Sequence, residues 1–167
     1  MSLPLRPSDF GHPRIQLRGL EGRDRQAHAA HLLRLSPENR RSRFHSVLGD
    51  AAIRAYSDGL DWDRALIFGA FVSGVLRGMG ELIPWPDTSE AEASFSIEQP
   101  FQQIGLGKRL VLATVLAARS AGITRVHMDF IGDNRAMRAL ARDVGAISGY
   151  SDGVIHAVKD IPPPARR

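Results

Sequence analysis

The sequence predicts an α+β domain built on a mixed, mostly antiparallel sheet. Residues 91–97 alternate, with Phe95 and Ile97 on one side of an extended segment and Ser94 and Ser96 on the other. Leu106, Leu110, Ala113, Ala117 and Ala121 then recur at helical spacing until Gly122. Val126, Met128 and Phe130 alternate with Arg125, His127 and Asp129 in a further strand. Strand, helix and strand in this order form a right-handed crossover between parallel strands. The segments before the crossover read as three consecutive antiparallel strands.

In chain order, residues 1–13 carry Pro4, Pro7 and Pro13 and read as a loose arm. Ile15 and Leu17 alternate with Arg14, Gln16 and Arg18 in a first strand, and Gly19 and Gly22 mark a turn. Asp24 is placed to cap a helix on which Ala27, Ala30, His31 and Leu35 share a face. Ser36-Pro37-Glu38 opens a second helix with a cap, a proline at the first position and an acid in the first turn. That helix carries Arg40, Arg41, Arg43 and Phe44, a basic wall suited to an acidic partner. Residues 51–56 belong to a short helix. Residues 64–72 and 75–83 are strands joined by Ser73-Gly74, the second weakened or bulged at Gly78 and Gly80. Past the crossover, Gly132-Asp133-Asn134 caps a helix with Met137, Leu140, Ala141 and Val144 on one face. Residues 147–158 supply the last strands around Asp152-Gly153, and 161–167 form a proline-rich tail.

The 167 residues, 43% hydrophobic, suit one domain over 1–167 with flexible tails at 1–13 and 161–167. There is no cysteine, which excludes disulfides, a thiol nucleophile and thiolate metal sites. The N-terminus does not read as a secretory signal, and the longest apolar run, 65–76, is interrupted by Gly69, Ser73 and Gly74. The chain reads as a soluble, cytoplasmic protein with no membrane partner. Its net charge of +4 comes from arginines spread along the chain rather than a basic stripe interleaved with aromatics. That argues against nucleic acid and suits a polyanionic ligand. No metal site is expected. The carboxylates of Asp58, Asp61 and Asp63 are not followed by the later glycine and glutamate of a calcium loop, and His28 and His31 have no third ligand.

The turn between the central strand and its helix carries the chemistry. Pro100 ends the strand, and Gln102-Gln103-Ile104-Gly105-Leu106-Gly107-Lys108 leads into the helix. The first N–H groups of a helix lack internal partners and lie at the positive end of its dipole. Glycines let a phosphate come close to them, and Lys108 and Arg109 add full charges. The turn is therefore a candidate pyrophosphate cradle. It lacks the pattern of a Walker loop or a dinucleotide fingerprint.

Gln102-x-x-Gly105-x-Gly107 resembles the pyrophosphate loop of the GNAT superfamily of acyl-CoA-dependent N-acetyltransferases. Asp133-Asn134-Arg135-Ala136-Met137 followed by Val144-Gly145 is similar to that superfamily's asparagine-bearing helix. Leu35-Ser36-Pro37-Glu38-Asn39, leading to Arg43-Phe44, resembles a segment of its bacterial protein-lysine acetyltransferases. The likeness covers roughly residues 14–158.

The resemblance implies a GNAT-like fold in which the central strand splays from its neighbour and the pantetheine arm of acetyl-CoA lies in the gap. Phe95, Ser96 and Ile97 would then flank the cofactor, Gln102, Gln103, Ile104, Gly105, Leu106, Gly107 and Lys108 would hold its pyrophosphate, and Asn134 would bond its arm. Glu92, which matches the Glu of the Ala-Glu strand in the resembling protein-lysine acetyltransferases, is the candidate general base, with Glu81 as the alternative, and Glu98 falls past the thioester. The tyrosine that many members use as general acid is replaced by Ala141, and Tyr150 serves only if the last strands bring it near. The expected activity is acetyl transfer from acetyl-CoA to a primary amine on a protein lysine, a peptide or a small molecule. A non-catalytic acyl-CoA-binding module is the rival reading, and a homodimer is an assembly the family often forms.

Overall fold

The computed structural model of the protein describes residues 14–165. Seven strands form one sheet in the order β1-β2-β3-β4-β5-β7-β6. β1 (Ile15–Leu20), β2 (Leu66–Val72), β3 (Val75–Pro84) and β4 (Glu90–Ile97) pair antiparallel in sequence. β4 and β5 (Arg125–Ile131) are parallel and are joined by α4 (Leu106–Ser120). β7 (Val154–Asp160) lies antiparallel to β5, and β6 (Ile147–Ser151) forms the far edge. The α+β mixed sheet with one parallel crossover is therefore present as the periodicity predicts.

Both expected hairpins close with paired left-handed residues. Ser73 and Gly74 have φ of 50° and 83°, and Asp152 and Gly153 have 51° and 82°. Positive φ at both central positions is the turn whose twist matches the flanking strands.

The sheet buries both faces. α4 covers one, setting Leu106, Leu110 and Ala118 against strand residues that include Ala70, Leu82, Ala93, Val126, Met128 and Phe130. α1 (Arg25–Arg34) and α3 (Asp50–Gly59) cover the other, where Leu32, Leu35 and Ile53 meet Leu20, Ile67, Phe71 and Met79. α2 (Pro37–Phe44) crosses this second face near β4 and β5, and α5 (Arg135–Asp143) follows β5.

Several local expectations need correction. Asp24 occupies the N-cap position of α1 as expected, but its side chain makes no cap bond: its carboxylate accepts from the Glu21 N–H and from Arg18, closing the 3-10 turn that precedes the helix. The buried face of α1 is His28, His31 and Leu32, followed by Leu35, rather than the alanines. The bulge in β3 falls at Arg77, where Ala70 pairs Gly78 but Phe71 pairs Leu76. Ile161 is not the start of a loose tail, because it is buried and its N–H donates to the Thr124 carbonyl. The proposed arm at 1–13 lies outside the described residues.

Candidate active site

The fork between β4 and β5 organises the site. The two strands pair over only three rungs, Glu90 with Arg125, Ala91 with Val126 and Glu92 with His127. Beyond Glu92, β4 continues to Ile97 paired with β3 alone, and β5 continues to Ile131 paired with β7 alone. Two strand edges with unused backbone donors and acceptors therefore face one another across a widening gap. Unpaired edges of this kind accept an extended, amide-bearing chain in place of a strand.

Phe95, Ser96 and Ile97 line that gap with backbone rather than side chain. Phe95 packs into the α4 core, Ser96 is buried with its Oγ 2.8 Å from His31 Nε2, and Ile97 packs beneath the start of α4.

The turn at the end of β4 is fixed at both sides. The Gln102 amide donates to the Ile97 carbonyl at 2.9 Å, and Arg77 lies over the Phe101 ring at 4.8 Å. Gln103 adopts φ of 63° and Gly105 φ of 86°, and Gly105 is the residue before the first turn of α4. No side chain caps this helix. Its leading N–H groups thus point outward unspent, since the first bond back into the turn is Arg109 N–H to the Gly105 carbonyl. A Cβ on Gly107 would sit 3.3 Å from Leu140 and 3.5 Å from Ile97, so the helix start packs tightly on α5 and β4. Leu106 is buried as an anchor, while Gln102, Gln103, Ile104, Gly105 and Lys108 are exposed. Lys108 and Arg109 make no ion pair among the described residues. The turn can therefore receive an anion without breaking any existing bond.

Asn134 opens α5 across the gap from this turn. Its Oδ1 accepts from the Met137 N–H at 3.1 Å, capping the helix, and its Nδ2 has no partner among the described residues. Ala141, in the usual place of the tyrosine, is buried in the apolar core. Tyr150 is exposed on the edge strand β6, with its ring beside Gly132 at the end of β5.

The two acidic candidates for base have opposite surroundings. Glu92 is exposed at the fork and makes no hydrogen bond among the described residues. Glu81 is enclosed: His28 Nε2 lies 2.9 Å away, the Tyr56 hydroxyl donates at 3.1 Å, and Arg43 forms a close ion pair. Burial raises its carboxyl, but Arg43 and His28 outweigh that and hold it down at about 2. Without open access or spare proton affinity, Glu81 is built to hold α1, α2 and α3 to the sheet and not to accept a substrate proton. Glu98 is likewise internal, bonded to His31, Arg34 and Arg77.

Sequence reasoning missed what surrounds Glu92. His127 is its partner on the last rung, stacks on Trp85 with ring centroids 4.4 Å apart, and bonds Glu90. Further along β5, the Asp129 carboxylate meets His156 Nδ1 at 2.9 Å, and its carbonyl is 3.2 Å from His45 Nε2. The alternation that predicted β5 already places His127 and Asp129 on one face; their partners come from remote segments and leave no local signal. The basic wall of α2 is also smaller than expected. Arg40 donates to the Leu33 and Leu48 carbonyls and Arg43 turns in to Glu81, so Arg41 alone of the three makes no bond among the described residues.

Residues 30–146, which carry the fork, the uncapped glycine turn and the capping asparagine, match the model of the acetyltransferase (GNAT) family. The chain belongs to the GNAT acetyltransferase family. It is 32% identical over 74 residues to the acetyltransferase Pat of Mycolicibacterium smegmatis. That match spans 44% of this chain but only 22% of the relative's length. The crystal structure of the GNAT domain of S. lividans PAT shares the fold with a TM-score of 0.74 at 19% identity, covering 87% of this chain and 90% of that one. The putative acetyltransferase yncA of Salmonella typhimurium, solved with its cofactor acetyl-CoA, gives 0.68 at 15% identity, covering 92% of this GNAT chain and 98% of that one. Among the described residues no helix is long and apolar enough to cross a membrane, and no group of three His, Asp or Glu could hold a metal ion.

Proposed function

We propose that this GNAT acetyltransferase moves the acetyl group of acetyl-CoA directly onto a primary amine of a peptide or protein lysine, with Glu92 as the base. The observation that carries the reading is the fork, where two unpaired strand edges open beside an exposed carboxylate and lead to a turn rich in free N–H donors.

Acetyl-CoA supplies the thioester that the amine attacks. The leading N–H groups of α4, with Lys108, oppose the charge of the pyrophosphate. The exposed edges of Phe95, Ser96 and Ile97 hydrogen-bond the amide-bearing arm, and Asn134 Nδ2 donates to it from the start of α5. Glu92 takes a proton from the ammonium, directly or through a water, so that the neutral nitrogen can form the new C–N bond. The C–S bond breaks as that bond forms, the coenzyme leaves as a thiolate, and the nitrogen gives its second proton to solvent or to that thiolate, leaving the neutral amide. A thiolate is a stable leaving group near neutral pH, which is why a site with Ala141 in place of a tyrosine can still turn over.

Thermal unfolding at fixed salt with acetyl-CoA, coenzyme A and ATP tests the cofactor site. Ligand at about 100 times its Kd adds ~2.7 kcal/mol to the folded state and raises the midpoint. A rise with both coenzyme forms, followed by transfer to lysine peptides that Glu92→Gln impairs, is the expected result. No rise at saturating coenzyme would overturn the proposal.

A further inference from the structure

The far end of β5 opens into a cavity of about 610 Å³ with an unusual charge. It is bounded by Ile131 and Gly132 at the end of β5, by Arg135 and Arg138 of α5, by Arg41 of α2 and by Tyr150 of β6. Asp133 is its one acidic lining residue. None of the three arginines makes an ion pair or a side-chain hydrogen bond among the described residues. Arg18, Arg34, Arg40, Arg43, Arg77 and Arg125, by contrast, each hold a carboxylate. What distinguishes the cavity's arginines from other unpaired ones such as Arg109 is that three come together. Three unspent guanidinium groups from two separate helices converge on one open space.

We propose that this cavity binds the carboxylates of an acidic peptide segment that flanks the acceptor lysine. The inference rests on the acetyl-transfer reading and names its substrate class. Guanidinium forks pair with carboxylates in two parallel bonds, and three of them around one cavity suit more than one carboxylate.

Geometry selects a peptide over a small amino acid. From His127 at the last rung of the fork to Ile131 at the cavity wall is four residues of β5, about 13 Å at strand rise. An amino acid with its carboxylate beside the reacting amine cannot reach both places. Two residues of extended chain cover about 7 Å, and a lysine side chain supplies the rest. The acidic residues therefore sit about two or three positions from the lysine. Arg41 also argues for an acceptor over the cofactor, because α2 crosses the sheet on the face opposite α4 and its anion-accepting turn.

Fluorescence anisotropy with a labelled lysine peptide carrying aspartates two and three residues away, against its serine counterpart, tests the site without any turnover. The same pair is then compared as acceptors, using wild type, Arg41→Glu and Arg138→Glu. The aspartate peptide should be favoured about tenfold in affinity and in kcat/KM, with the gap narrowing as salt rises. Either reversal should abolish the preference while coenzyme A binding stays at the wild-type level. Equal treatment of the two peptides would overturn the proposal. So would a loss of affinity for coenzyme A, but not for dephospho-coenzyme A, in the arginine variants, which would assign the cavity to the 3′-phosphate. Should no peptide be acetylated, binding that still follows the aspartates and the arginines upholds the acidic-peptide site while the transfer reading falls.

Discussion

Glu92 and His127 face one another across the last rung that joins β4 to β5. Every residue beyond them on either strand borders the gap, and every residue before them belongs to a closed sheet. The carboxylate and the imidazole are thus the first side chains an acceptor meets where the strands part. His127 is held by Trp85 and Glu90, whereas Glu92 is held by nothing among the described residues.

Glu92→Gln should lower kcat about 10²-fold or more, the usual contribution of a positioned base. The midpoint shift given by coenzyme A should be that of wild type, since the amide keeps the shape and leaves the gap intact. Steady-state kinetics with a lysine peptide measure the first, and a melting curve the second. Full activity in this variant would leave Glu92 as a solvated strand residue.

Asn134 has two roles that substitution can separate. Asn134→Ser keeps an oxygen to accept from the Met137 N–H, so folding stability should hold within a few tenths of a kcal/mol. The Nδ2 donor is lost, and coenzyme A should bind more weakly. Asn134→Ala should show both losses, with about 1 kcal/mol of stability gone. Calorimetric titration beside denaturant unfolding distinguishes the two. Equal coenzyme affinity in all three proteins would reduce Asn134 to a helix cap.

Gly105→Asp should nearly abolish the thermal shift with coenzyme A. An aspartate at φ of 86° is strained, and its carboxylate would stand where the pyrophosphate is proposed to lie. Gly105→Asn separates these effects, because asparagine tolerates left-handed backbone and brings no charge. It should retain more of the shift than the aspartate variant does.

Acid should unfold the protein in two stages. Burial holds the His31 imidazole below its ordinary value of 6.5, so the folded state resists a proton that the unfolded chain accepts, and stability falls as pH drops below about 6.5. Glu81 sits at about 2 against an ordinary 4.5, so its contribution is complete above 4.5 and lost as pH falls toward 2. Removing the Glu81 carboxylate with Glu81→Leu strands Arg43 in the interior and should cost about 3–5 kcal/mol at neutral pH. Denaturant titrations from pH 8 to pH 3 follow both stages; flat stability across that range contradicts the account.

What the sequence revealed depended on distance along the chain. The strand at 91–97, the helix after Gly105 and the two left-handed hairpins are encoded within a few neighbouring residues, and periodicity finds them. The Ser36 cap is equally local, and its Oγ accepts the Asn39 N–H as expected. The buried polar groups are not local. His28 meets Glu81 across 53 positions and His31 meets Glu98 across 67. Nothing beside Glu81 tells it from Glu92; only the arrival of Arg43 and His28 from other helices turns one carboxylate inward and leaves the other free. The same holds for Arg40, Arg41 and Arg43, adjacent in sequence yet committed to different surroundings.

Arg77 connects two parts of the molecule that are otherwise separate. It sits on the β3 bulge, bonds Glu98 at 2.9 Å and covers Phe101. Glu98 in turn is joined to α1 through His31 and Arg34. The segment from Glu98 to Gln102 is therefore already in its final shape before any ligand arrives. Capture of coenzyme by such a turn involves no ordering step, so the observed association rate should climb in proportion to ligand concentration and show no plateau. The slow event in a catalytic cycle would then lie elsewhere, in the chemistry at the fork or in the departure of products.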